Sequence, residues 1–149
     1  MSSDERNTYV SLISSLLINA YMIWRLVEMF GAGTLSGPDA LQIWARMVLW
    51  VIGAAIVLTI VLTILFNIVF AIATGEKSPQ FLSDERDRVF EVRGMGATTL
   101  VMIFGFIGAI VALALGQTPL FAFIQLYFSL ALGSLAGDLV KLASYRHGG

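Results

Sequence analysis

Apolar residues fall in four long runs separated by short polar or turn-forming breaks. Residues 9 to 30 form the first, and about 20 such residues cross a hydrocarbon core of about 30 Å as an α-helix. Further runs cover residues 45 to 73, 94 to 115 and 120 to 143. A helix satisfies its own backbone groups, which lipid cannot do, so each run predicts a spanning helix. The expected fold is therefore all-α, an integral membrane four-helix bundle, with residues 1 to 149 forming a single transmembrane domain. The second run is almost unbroken from residue 42 to 74, so its helix must tilt or protrude, with Trp44 and Arg46 at the interface.

The breaks carry their own signals. Residues 31 to 39 are rich in Gly, with Pro38 suited to a first helical position and Ser36 or Gly37 ahead of it. Gly75 is expected to stop the second helix. Residues 76 to 93 are the one strongly charged stretch. Ser83 followed by acids reads as an N-cap, so the third helix is expected to begin inside this loop and to enter the membrane near Gly94. Gly116, Gln117, Thr118 and Pro119 predict a tight turn, and residues 144 to 149 a short polar tail. The acidic start, with Asp4 and Glu5, argues against reading the first run as a cleaved signal peptide, whose leading segment is basic.

Composition agrees with a lipid environment: 58% of the 149 residues are hydrophobic and 13% charged. Mean hydropathy is +0.85. The net charge is −1 and there is no clustered basic tract, which argues against nucleic-acid binding. With no Cys and only His147, disulfides, thiolate metal sites and Cys nucleophiles are excluded, and no cofactor is expected. Four spans place both termini on one side. Arg6, Lys77, Arg86, Arg88, Arg93, Lys141 and Arg146 lie on that side, against Arg25 and Arg46 on the other. The positive-inside rule then makes the termini and the charged loop cytoplasmic.

Ser3-Asp4-Glu5-Arg6 before the first helix recurs as Ser83-Asp84-Glu85-Arg86 before the third. Two readings stay open: two repeated helix pairs related by an axis along the membrane normal, or the independent use of Ser and acids at a helix start.

Polar groups inside a bilayer are costly and each needs an account. Arg25 and Glu28 are spaced to pair with each other and snorkel. Asn19, Asn67, Gln125 and Asp138 are the candidate intramembrane polar residues. The amides are expected to bond to neighbouring helices or, alternatively, to line a path; Asp138 is expected to anchor with Lys141 or to take a proton or cation from a crevice. Asp84, Glu85, Arg86, Asp87, Arg88, Glu91 and Arg93 form the candidate partner- or lipid-binding loop. Asp84, Asp87, Arg88 and Glu91 share a helical face, read as a solvated juxtamembrane surface or as a divalent-cation site. Gly108, Ala112 and Gly116, and Ser129, Gly133 and Gly137, recur every four positions and predict close helix contact, within the hairpin or between copies.

Residues 84 to 94, Asp-Glu-Arg-Asp-Arg-Val-Phe-Glu-Val-Arg-Gly, resemble the charged loop of a family of small bacterial four-helix membrane proteins of unassigned function. The family pattern is Asp-Glu-Arg-Asp, an aliphatic residue, Glu, then Arg-Gly. The likeness extends more loosely to the N-terminal helix and to Asp138-Leu139-Val140-Lys141 followed by Tyr145-Arg146. Asp138 stands where the family has Glu, and residues 95 to 99 lack its Arg-x-x-Tyr. The resemblance implies four spans and a bacterial membrane, and it implies no activity.

No nucleophile–base pair, phosphate-cradling loop or metal cluster occurs in the sequence, so no enzyme is expected. The expected function is a non-enzymatic protein of the bacterial inner membrane that acts by protein association or as an accessory or regulatory subunit. Its expected partners are the bilayer and either another copy, forming a homodimer, or another membrane protein. The alternative is a small dimeric transporter or channel.

Overall fold

The computed structural model describes residues 3–75 and 85–147, and among them four helices account for nearly all of the chain. They are α1 (Ser3–Gly31), α2 (Ala40–Thr74), α3 (Glu85–Ala114) and α4 (Pro119–His147). All four are long and apolar enough to cross a membrane, so the chain is a multi-pass membrane protein of all-α class. The start of α1, the end of α2, the start of α3 and the end of α4 lie at one end of the bundle, the charged end. The α1–α2 and α3–α4 connections form the other, the turn end.

The helices outrun the apolar segments for local reasons. α1 starts at Ser3 because Asp4 and Glu5 sit in its first turn, where the unpaired N–H groups favour negative charge. The Thr8 hydroxyl donates to the Asp4 carbonyl at 2.8 Å. Pro38 does not occupy the first position of α2. The Ala40 N–H donates to the Gly37 carbonyl at 3.2 Å, closing a turn that places Pro38 second and Asp39 third. Asp39, at φ −88° and ψ 3°, has the third-residue geometry of a type I turn, so α2 begins after it. Gly75 ends α2 as expected, at φ 68° with its N–H donating to the Ala71 carbonyl. The polar tail is helical through His147, whose Nδ1 lies 2.9 Å from the Ala143 carbonyl. Arg146 and His147 thus occupy the last turn, where cations suit the helix dipole.

α3 packs along α4, α4 against α1, and α1 against α2, with a smaller contact between α2 and α4. Across the bundle the order is therefore α3, α4, α1, α2. Two kinds of packing hold it. At the turn end, Met22 and Met29 of α1, Trp44 and Val51 of α2, and Leu120 and Ile124 of α4 form a buried cluster that Leu35 of the α1–α2 connection completes. Trp44 meets the ring of Tyr127 edge to face, centroids 5.8 Å apart.

α3 and α4 are instead joined by small residues. A methyl group at Gly133 would come within 3.0 Å of the Thr98 carbonyl, and one at Gly94 within 2.9 Å of the Gly137 carbonyl. A methyl at Gly105 would overlap Ser129, and one at Gly108 would overlap the Gln125 amide. Backbones approach closely because these positions lack side-chain bulk. The two hairpins share the helix order that the repeat implies, but large side chains pack one and small residues the other. Ser83 and Asp84, half of the repeated motif, lie outside the described residues.

Candidate polar cleft at the charged end

Three helices bring polar stripes together at the charged end. On α1, Asp4, Asn7, Thr8 and Ser11 follow the spacing of one helical face, and all four line a cleft of about 300 Å³. α3 supplies Asp87 and Glu91, one turn apart, and α4 supplies Asp138, Lys141 and Tyr145. Each stripe continues an apolar helix face toward the bilayer, so the cleft sits where the bundle meets the interface.

Asp138 is buried, 7% exposed, as is Asp87. The Ser11 hydroxyl donates to its Oδ2 at 2.7 Å, a bond that fastens α1 to α4. Lys141 stands one turn nearer the charged end, its stem laid across Gly94, where any side chain on α3 would collide with it. This close approach brings Asp87 and Glu91 to the same cleft. Phe90, 1% exposed, meets the Tyr145 ring edge to face at 5.0 Å and so closes the α3–α4 seam beside the cleft. On the far side of α1, Arg6 is buried with its guanidinium carbon 4.3 Å from the Phe70 ring centroid on α2, a cation–π contact.

The described lining holds four carboxylates (Asp4, Asp87, Glu91, Asp138), one ammonium (Lys141), a phenol and three neutral hydrogen-bonding groups. Among the described residues no three carboxylates or histidines stand close enough to hold a metal ion. The arrangement can therefore accept hydrogen bonds and cationic groups from a bound partner.

Sequence candidates are partly united here. Asp87, Glu91 and Asp138, taken from separate segments, share the cleft. Arg88 does not: it is exposed and absent from the lining, so the face on which it was grouped with Asp87 and Glu91 is divided by the packing of α3 on α4. Arg86 lies over the Phe90 ring at 5.4 Å, while Glu85 and Arg93 are exposed. Asp84 lies outside the described residues.

The three amides do not converge. The Asn19 side chain donates to the Ser15 carbonyl at 2.7 Å and that of Asn67 to the Thr63 carbonyl at 2.8 Å. Each thus bonds within its own helix rather than to a neighbour, because the residue one turn earlier supplies the nearest free carbonyl lone pair. Gln125 lies against Gly108 in the α3–α4 seam. Of the four intramembrane candidates only Asp138 reaches the cleft. Arg25 and Glu28 form the expected ion pair.

Gly108, Ala112, Ser129, Gly133 and Gly137 belong to the α3–α4 contact, whereas Gly116 does not. At φ 80° it is the left-handed residue that ends α3, with no neighbour near its missing side chain. Its N–H donates to the Leu113 carbonyl and the Gln117 N–H to the Ala112 carbonyl, the bond pair of a Schellman motif. Four-residue spacing continued past the helix end is what placed Gly116 in the stripe.

The sequence does not by itself mark Asp4, Asn7, Thr8, Ser11 and Tyr145 as cleft residues, or Gly94 and Gly105 as seam residues. The recurrence of polar residues at positions 4, 7, 8, 11, 14 and 15 of α1 was the available signal. No family model, curated protein or solved structure matches the chain.

Proposed function

We propose that the chain is a non-enzymatic protein of the bacterial inner membrane, with both termini cytoplasmic, that acts by association with another membrane protein as an accessory or regulatory subunit. The carrying observation is the convergence of polar stripes from α1, α3 and α4 on one cleft at the charged end. Orientation rests on the seven-to-two distribution of Lys and Arg. In this reading the partner inserts a basic or hydrogen-bond-donating group between Asp87, Glu91 and Asp138. Burial of a polar partner group is tolerated there because acceptors already line the cleft. Cross-linking followed by affinity purification tests the role. The Asp87→Asn/Glu91→Gln variant is expected to lose a partner that the wild type retains, and an unchanged partner profile overturns the docking role.

A second reading, a small dimeric transporter or channel, draws on Asp138. A buried carboxylate at the floor of an open polar cleft is the kind of group that ion-coupled carriers use. With Asn19 and Asn67 bonded within their own helices, a polar path through this protein requires surfaces from a second copy. Ion flux into proteoliposomes that is abolished by Asp138→Asn supports this reading, and absence of flux in the wild type removes it.

A further inference from the structure

The charges of α3's first turns are sorted by the packing. Asp87 and Glu91 line the cleft, while Arg88 and Arg93 are exposed on the other side of the helix. Between them the same outward surface carries Val89, 49% exposed, and Val92, 64% exposed. On a helix Arg88 neighbours Val92, and Val89 neighbours Arg93, each pair four positions apart. The outward surface of these turns is thus apolar at its centre and cationic at its flanks. The Arg25–Glu28 ion pair lies at the turn end, and neither Arg88 nor Arg93 is seen paired with a described carboxylate. Glu85, at the first residue of α3, stands farther from the bilayer.

Depth follows from helix geometry. Leu115, at the turn end, is 76% exposed and marks one edge of the apolar surface. Counting back about 20 residues for a core of about 30 Å reaches the neighbourhood of Met95. The backbone of Arg93 then lies about 3 Å beyond the core edge, within the headgroup layer, and that of Arg88 about 10 Å beyond it, at the outer margin of that layer, from which its long side chain reaches back toward the phosphates. Val92, about 4 Å beyond the core edge, and Val89, about 9 Å beyond it, offer apolar surface to the uncharged parts of the headgroup layer, and guanidinium groups beside them match phosphate oxygens.

We propose that the outward face of residues 88 to 93 binds anionic phospholipid, with Arg88 and Arg93 contacting headgroup phosphates and Val89 and Val92 packing against the uncharged parts of the headgroup layer. The match is one of charge and of depth together, and it is independent of the cleft assigned to protein association. It predicts a lipid retained selectively by α3.

Native mass spectrometry of the full chain, extracted from vesicles of equimolar phosphatidylglycerol and phosphatidylcholine, tests this. The wild type is expected to retain phosphatidylglycerol preferentially. Arg88→Gln and Arg93→Gln are each expected to reduce that preference about five-fold. Both side chains are exposed, so folding is not at risk, and helical content by circular dichroism checks it. Asp138→Asn, a cleft variant, is expected to leave the preference unchanged. An Arg88→Gln/Arg93→Gln variant that retains the wild-type preference overturns the proposal, as does a wild type that retains both lipids equally.

Discussion

At the scale of single residues, absent side chains matter as much as present ones. A methyl at Gly137 would overlap the Thr98 hydroxyl and press within 3.0 Å of the Gly94 carbonyl, so α3 must move away from α4 to admit it. Gly137→Ala is expected to destabilise the protein by about 1–3 kcal/mol, the usual cost of overpacking. Gly53 on α2 has open space around it, and Gly53→Ala is expected to be neutral or stabilising by up to about 1 kcal/mol through helix propensity. Thermal unfolding midpoints of the two variants in one detergent check the contrast. Equal midpoints would show that the α3–α4 seam tolerates bulk.

The Ser11–Asp138 hydrogen bond belongs to the same scale. Ser11→Ala removes the donor, and Asp138→Asn weakens the acceptor. In a double-mutant cycle the two changes are expected to couple by about 0.6 kcal/mol, the average for hydrogen bonds between membrane helices, and by no more than about 1.7 kcal/mol. Strictly additive effects on unfolding free energy would mean that the contact contributes nothing to holding α1 against α4.

At the scale of elements, helix ends follow chemistry that a reader of the chain can recognise, provided the turn type is recognised too. Gly116 has the composition of a packing residue and the geometry of a terminus. Any other L-residue at φ 80° pays a steric penalty of about 1–2 kcal/mol, so Gly116→Ala is expected to lower stability by that amount. Asn tolerates this conformation better, and Gly116→Asn is expected to recover part of the loss. If Gly116 served helix packing instead, the larger Asn would be the more damaging of the two, which the same unfolding measurements decide.

α1 shows why part of the site was hard to read. Its apolar residues were sufficient to predict a span, and its polar residues at positions 4, 7, 8 and 11 looked like an ordinary charged lead-in. Their spacing places them on one face, but the cleft exists only because Asp87, Glu91 and Asp138 lie opposite them. Asp138 was legible as an isolated carboxylate. Its Ser11 partner is 127 positions away, and no local pattern announces it.

At the scale of the whole molecule, orientation is testable because the chain has no native cysteine. Single cysteines at Thr118 or Ser36, exposed at the turn end, are expected to react with a membrane-impermeant thiol reagent applied to intact cells. Cysteines at Glu85 or Arg146, exposed at the charged end, are expected to react only after permeabilisation. The reverse labelling pattern would invert the orientation and move the cleft away from the cytoplasm.

The sequence by itself determined the class and the number of helices. The physical reason is local: each apolar run must satisfy its own backbone in lipid, and that requirement does not depend on what the run packs against. Close helix contact was also legible, since residues without bulk permit backbones to approach wherever they recur on one face, but that the contact joins α3 to α4 was decided by the tertiary structure. Only the tertiary structure decided which polar groups share a site. It turned Asp87 and Glu91 toward Ser11 and Asp138, left Arg88 and Arg93 facing outward, and kept Asn19 and Asn67 within their own helices. Those outcomes depend on the rotation of one helix against another, which is set by seams such as Gly94 against Lys141 and Gly137, and no single helix contains that information.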